Sequence, residues 1–330
     1  MRVVSREIQL LVRPEGMPSL EQFAVVEREL AEPRAGQCLV RNEYMSIDPA
    51  MRPRLSNGTT QIGQPIAGAT VGIVVESLHS GFAPGDAVLH NFGFREFLLT
   101  DGEGISKIDL RDEPLQAHLS VLGVAGLTAY AGLLEVAALQ EGERVFVSAA
   151  AGAVGSLAAQ IAKIKGCYTI GSAGSIEKCN WLRDVAGLDA VINYKTVLLR
   201  KALKEAASEG IDVFFDNVGG EHLNAALPRM RMHGRIAVCG MISAYNNRGA
   251  ISEGVTTLSN MMYNRLTMRG FVVWDFEPLR PRFLADMRAW LADGKIKYEE
   301  TVYKGIASAP AALIGIMEGK NLGKMLVRLA

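Results

Sequence analysis

The sequence predicts an α/β chain: a doubly wound parallel sheet joined to a second, smaller and mostly β domain. Three observations predict it. Arg144–Val147 reads as a buried strand that passes through a small-residue turn into a helix. Continuous apolar strands alternate with helical patterns between about residues 121 and 295, which is the signature of a parallel sheet covered on both faces. Before that region the chain shows short alternating runs broken by turn residues, as an antiparallel domain would.

The first region, residues 1–120, contains the strand patterns Cys38–Tyr44 and Ala69–Glu76, and a Pro84-Gly85-Asp86 turn that leads into Ala87–Leu89. The second region opens with the turn Ala149-Ala150-Ala151-Gly152-Ala153-Val154-Gly155. Val154, Leu157, Ala158 and Ile161 then mark one apolar helix face at i, i+3, i+4, i+7 spacing. Cys167–Ser172 (strand), Ser175–Ala186 (helix), Ala190–Tyr194 (strand), Val197–Ser208 (helix) and Ile211–Val218 (strand) follow. Glu221–Arg231 (helix), Gly234–Gly240 (strand), a loop reaching about residue 266, Met268–Trp274 (strand) and Leu279–Asp293 (helix) complete it. This order is that of the doubly wound dinucleotide-binding fold. Residues 296–330 return to a different pattern, with strands at Thr301–Tyr303 and Lys324–Arg328 around a helix at Ala309–Met317. They are expected to complete the first domain, leaving 121–295 as an insertion.

Composition excludes several function classes. The formal net charge is zero, so no basic field attracts nucleic acid or an anionic membrane. Met1–Glu7 lacks the apolar core of a signal peptide, and the apolar run from Gly123 to Leu139 falls short of the ~20 residues a span needs. Cys38, Cys167, Cys179 and Cys239 form no Cys-x-x-Cys pair, and the five histidines form no metal-ligand spacing. A reduced, cytoplasmic, metal-free protein is expected.

Ligands of a doubly wound sheet bind at the carboxyl ends of its strands. The Ala-x-x-Gly-x-x-Gly turn lets the backbone approach a diphosphate, and the helix behind it offers free N–H groups; the same turn also serves plain strand–helix packing. The next strand end, Gly171–Lys178, has no acid where an NAD site places one to hold the ribose 2′-hydroxyl. Ser172 and Lys178 in that region suit a 2′-phosphate instead, so NADP is expected over NAD. Phe215-Asp216-Asn217-Val218-Gly219-Gly220 is either an edge where backbone meets ligand or a capped turn. After Val238-Cys239-Gly240, the long loop carries Met261, Met262 and Tyr263, which read either as an apolar lid or as a surface buried against another domain or subunit.

Taken together, these motifs make the chain resemble the medium-chain dehydrogenase/reductase superfamily, and within it the zinc-independent prostaglandin reductase-like, or alkenal double-bond reductase, group. Tyr44–Arg52 resembles the N-terminal signature and Leu122–Tyr130 the inter-domain helix; Ser148–Ser156, Asn193–Lys195, Phe215–Gly220, Cys239–Asn246 and Asn321–Lys324 also match. The resemblance implies a GroES-like β-barrel first domain, a Rossmann second domain and NADP(H) in the cleft between them. It implies that Gly152, Ala153, Val154 and Gly155 line the diphosphate and that Ser172, Lys178 and Tyr194 hold the 2′-phosphate. Asn217, Cys239, Gly240, Met241, Ile242, Ser243, Tyr245, Gly270, Phe271, Val272 and Asn321 would contact the rest of the cofactor. Tyr245 would point its hydroxyl at the substrate carbonyl as the catalytic residue, with Tyr44, Met51, Met262 and Tyr263 as further substrate contacts.

The implied reaction is metal-free hydride transfer to the C=C bond of an α,β-unsaturated ketone or aldehyde. Ala50 stands where the family often has Tyr, which puts substrate preference in doubt, and the zinc ligands of the alcohol dehydrogenases are missing. A zinc-free quinone reductase and a non-catalytic NADPH-binding protein are the competing readings. The strand Met268–Trp274, last in its sheet, is the expected two-fold contact of a homodimer.

Overall fold

The computed structural model describes residues 3–246 and 254–329. The chain divides into two compact units, residues 1–120, 246–248 and 300–330 in one, 121–245 and 249–299 in the other. The first unit begins with β1 (Val3–Leu10) and β2 (Phe23–Leu30), then β3 (Cys38–Ile47), α1 (Met51–Ser56), β4 (Thr70–Ser77), β5 (Ala87–His90), β6 (Phe97–Thr100) and β7 (Ile105–Lys107). The second unit runs α2 (Val124–Ala131), β8 (Arg144–Val147), α3 (Ala153–Ile164), β9 (Tyr168–Ala173), α4 (Ile176–Asp184), β10 (Ala190–Asn193), α5 (Leu199–Ala206) and β11 (Ile211–Asp216). It continues with α6 (Gly220–Ala226), β12 (Met230–Val238), α7 (Ser259–Tyr263), β13 (Thr267–Gly270) and α8 (Arg280–Ala292). The chain then re-enters the first unit with β14 (Glu300–Lys304), α9 (Ala309–Met317) and β15 (Lys324–Arg328).

In the first unit β1 and β2 form an antiparallel pair, and seven strands form a second sheet of order β14-β15-β3-β4-β5-β7, with β6 paired to β3. The C-terminal β15 lies antiparallel to β3, so the last strand is built into the sheet rather than appended to it. The apolar side of α9 (Ala309, Ala312, Leu313, Ile316) packs with Ile8, Leu10, Met45, Ile47, Leu55 and Phe94 in one core.

In the second unit six strands pair in parallel in the order β10-β9-β8-β11-β12-β13. The order reverses between β8 and β11, and the carboxyl ends flanking that switch point form the crevice where this fold binds ligands. Its central strands are apolar on both faces because helices cover both. Phe146 and Phe214 are fully buried and stack at 4.9 Å, with Ile170, Ile192, Leu199, Leu203, Leu223 and Ile236 around them. No helix among the described residues is long and apolar enough to cross a membrane.

Three elements differ from their sequence expectation. The helix expected over Glu221–Arg231 stops at Ala226, and a 3₁₀ turn with Pro228 leads into β12 at Met230. Pro228 has no N–H to continue the helical ladder, so the helix ends five residues earlier. The strand expected over Met268–Trp274 ends at Gly270, because Phe271 turns in to meet Phe215 and Phe276 edge-on and a 3₁₀ segment starts at Val273. The expected loop to about residue 266 contains α7; residues 247–253 of it lie outside the described residues.

Candidate cofactor site at the carboxyl edge of the parallel sheet

The parallel register brings the ends of β8, β9, β11, β12 and β13 to one edge: Val147 pairs with Phe215 and Gly171, Asp216 with Val238, and Val238 with Gly270. At the end of β8 the turn doubles back sharply. Ala149 sits in the left-handed region at φ +48°, an uncommon place for a side chain with a Cβ. Its carbonyl accepts the Gly152 N–H at 3.0 Å, and Gly152 starts α3. A Cβ on Gly155 would lie 2.3 Å from the Ala149 oxygen, so only glycine lets α3 pack this close to the turn. Gly152, Ala153, Val154 and Gly155 are thus brought together at the amino end of a 12-residue helix, with its first N–H groups and dipole directed at the turn.

A buried carboxylate holds the neighbouring strand ends. Asp216, 1% exposed, ends β11. Its Oδ1 accepts the Ser148 hydroxyl at 2.8 Å and the Val218 and Gly219 N–H groups at 2.9 and 3.0 Å. Its backbone carbonyl accepts the N–H groups of Cys239 and Gly240. The Ser148 hydroxyl also accepts the Asn217 N–H, and the Asn217 amide donates to the Ser148 carbonyl at 2.7 Å. Asn217 is therefore clamped to the end of β8, and it is Asp216 that caps the turn. Burial raises the Asp216 pKa against the lowering effect of its three hydrogen bonds, and burial together with the Asp216 carboxylate pushes the Cys239 thiol up to about 12.

The segment beyond β12 is pinned to this hub. Ile242 and Ser243 N–H groups donate to the Asn217 and Val218 carbonyls, and the Ser243 hydroxyl donates to Val218 at 2.6 Å. Met241 lies over Gly219, within 3.3 Å of where a Cβ would be. Tyr245 folds back so that its oxygen accepts the Met241 N–H at 3.4 Å, leaving its proton available to donate elsewhere. A Cβ on Gly240 would meet that hydroxyl at 3.4 Å and the Asn217 carbonyl at 3.2 Å. Gly270, Phe271 and Val272 close the far side of the same edge beside Val238.

Past β9, Ser175 caps α4 by accepting the Lys178 N–H. Burial lowers the Lys178 pKa, and the nearby Lys195 ammonium lowers it further. A Cβ on Gly174 would lie 2.9 Å from the Tyr194 hydroxyl and 3.2 Å from Lys195 Cε, so Gly174, Tyr194 and Lys195 meet at the end of β9 beside Lys178, where the Glu177 carboxylate partly opposes the effect of Lys195. Sequence reasoning quoted Lys195 only as part of a matching motif; its position two residues past the end of β10 was the available signal. The Tyr194 ring stands edge-on to His222 at 4.9 Å, and burial lowers the His222 pKa to about 4, so this imidazole is a neutral packing partner at physiological pH.

Further expected site residues make contacts within their own units. Ser172, near the end of β9, is fully buried and its hydroxyl has no partner among the described residues. Met51 is 4% exposed in the core of the first unit, its methyl against Gly68. Tyr44 on β3 packs on a buried cluster with Val71, Leu119 and Leu326. Asn321 is buried and its amide is committed to the Gly323 carbonyl of its own turn. Met262 and Tyr263, 68% and 66% exposed, ride on α7 beside the start of β12, where Asn264 bonds to His233 and Met230. That is the amino edge of the sheet, so they do not form a lid over the Asn217–Tyr245 wall.

Residues 6–108 match the family described as N-terminal domain of oxidoreductase, and residues 153–289 the one described as zinc-binding dehydrogenase. No three His, Cys, Asp or Glu side chains among the described residues come together as a metal site. Prostaglandin reductase 1 of Bos taurus is 42% identical over 318 residues, 95% of each chain. The 2-alkenal reductase (NADP(+)-dependent) of Nicotiana tabacum is 43% identical over 300 residues, 88% of this chain and 87% of that one. The crystal structure of CurA in complex with NADPH from Vibrio vulnificus superposes with TM-score 0.93 at 38% identity, covering 98% of this chain and 99% of that one.

Gly155→Ala should lower stability by about 1–3 kcal/mol in denaturant unfolding, since the new methyl meets backbone. Ala149→Gly should stay within about 1 kcal/mol of the parent, because relief of the left-handed strain offsets the added chain entropy. Asp216 has a raised folded pKa, so its contribution to stability is full below the ordinary aspartate value and is lost as pH rises through the folded value. Asp216→Asn keeps the acceptor without the charge. Its stability relative to the parent should therefore improve as pH rises above the ordinary aspartate value of about 3.9, whereas Asp216→Ala should be less stable throughout. A parent-minus-Asn difference that is flat with pH would remove the buried charge from the account.

Proposed function

The chain belongs to the zinc-independent medium-chain dehydrogenase/reductase family, and on that premise we propose that it is an NADP(H)-dependent reductase of the C=C bond of α,β-unsaturated ketones and aldehydes. The observation that carries the reading is the grouping at one sheet edge of the Gly152–Gly155 turn, the Lys178, Tyr194 and Lys195 cradle, and the wall from Asn217 to Tyr245. Gly155 lets the amino end of α3 close directly onto the turn, which fits a diphosphate held by the α3 N–H groups, and Lys178 and Lys195 at α4 fit a 2′-phosphate.

In this reading the α3 N–H groups bind the diphosphate and the two lysines bind the 2′-phosphate. Asn217 and the Cys239–Ser243 backbone hold the other end of the cofactor, with Gly270–Val272 opposite. The cofactor supplies the hydride. Tyr245 donates its hydroxyl proton in a hydrogen bond to the substrate carbonyl oxygen, where negative charge grows during the reaction. The Cys239 thiol, held protonated, takes no part as a nucleophile.

The proposal extends to assembly and place: a cytoplasmic homodimer built through the β13 edge. Met268, Val272 and Trp274 support it, being 38%, 57% and 54% exposed along an unpaired strand and its continuation.

NADPH oxidation measured with a 2-alkenal, an enone and a quinone tests the reaction; the enal and enone should turn over faster than the quinone, and no turnover with any of them would refute a reductase. Tyr245→Phe should lower kcat about 10²-fold with little change in the Kd for NADPH. Lys178→Ala should raise the Kd for NADPH about 10- to 100-fold, as loss of a charge-assisted hydrogen bond does, while leaving that for NADH nearly unchanged.

A further inference from the structure

The parallel-sheet unit carries a second cationic cavity, away from the carboxyl edge. It measures about 270 Å³ and is lined by Arg200, Lys204, Ala225, Pro228 and Arg229. Arg229 immediately precedes Met230, the first residue of β12. The cavity therefore lies where α5 meets the end of α6 and the start of β12.

Its charge is one-sided. Arg200 and Lys204 stand four residues apart on α5, where like charges face each other and repel. Arg200 also lies in the first turn of that helix, where the dipole disfavours a cation. No acid lines the cavity, and none of the three cations makes an ion pair among the described residues. Other arginines of the same unit do find carboxylates: Arg144 meets Glu209, Arg231 meets Asp212, and Arg235 meets Glu143. The Arg229 Nε is buried and has no hydrogen-bond partner among the described residues. A buried, unsatisfied donor beside two converging cations is a site lacking its acceptor.

We propose that this cavity binds a phosphate dianion, free or as the phosphate group of a small phosphomonoester. Three cations match the charge, the guanidinium forks of Arg200 and Arg229 match the oxygen geometry, and Lys204 adds a point charge. The volume lies just under the ~300–1,000 Å³ of ordinary ligand clefts, which admits a small monoester and refuses a dinucleotide. The site is separate from the cofactor cradle, shares no residue with it, and does not depend on the reaction proposed above.

Calorimetric titration of the full chain carrying Lys178→Ala, which weakens the other phosphate cradle, tests it with inorganic phosphate and, separately, glycerol 3-phosphate. One saturable site should appear for at least one of them. Binding of phosphate alone assigns the free ion; binding of the ester assigns the monoester. The added pair Arg200→Gln and Lys204→Gln, both exposed and harmless to folding, should weaken that binding at least tenfold. Arg200→Lys with Lys204→Arg should retain it. No binding of either probe, or binding unchanged by the double glutamine substitution, overturns the proposal.

Discussion

The Asp216 carboxylate stands where three strands of the parallel sheet finish, and it is hydrogen-bonded toward each. It takes the Ser148 hydroxyl from the end of β8, the Val218 and Gly219 N–H groups from its own turn, and its backbone carbonyl takes Cys239 and Gly240 at the end of β12. A carboxylate this deeply buried is costly unless it is hydrogen-bonded, and one of its oxygens has no partner among the described residues. Three donors on one oxygen offset that cost only in this arrangement of turns. The conformations of residues 148–149, 216–219 and 239–243 are thereby coupled, although they are far apart in sequence.

This coupling explains why the two ends of the proposed cofactor site share a support. The Ala149 carbonyl that limits Gly155 follows directly on Ser148, whose hydroxyl meets Asp216 and whose carbonyl takes the Asn217 amide. A shift of the diphosphate turn therefore moves the anchor of the Asn217–Tyr245 wall. Preorganisation of this kind places donors before a ligand arrives, so less ordering remains to be done on binding. The left-handed Ala149 fits the same logic: a strained residue persists where its surroundings over-determine it, here two glycines and a fixed hydroxyl.

The parts legible in the sequence are those set by local pattern. Apolar periodicity marks the strands and helices of the parallel sheet, and the small-residue turn and the missing acid after β9 mark the edge where they matter. What escaped depends on which way a side chain faces. Ser172 and Met51 have the right types for a site, but both are buried. Met262 and Tyr263 looked like loop residues because nothing in their pattern announces a helix as short as α7, or that it docks at the amino edge. Asp216 was visible as a polar residue after an apolar strand, but that its oxygen would gather donors from two strand ends is a property of strand order, which periodicity does not carry.

A formal net charge of zero hides two local concentrations of positive charge in one unit. Exposed charges interact over only about 8–10 Å at ordinary ionic strength. Each must be explained by what stands next to it. Lys178 is pushed towards its neutral form by burial and by Lys195, and a dianion between the two ammonium groups would reverse both effects, restoring the charge and replacing lost hydration. Where like charges converge without a carboxylate, the fold bears a cost when empty that an anion removes, and that difference between the two states is what gives such a cradle its affinity.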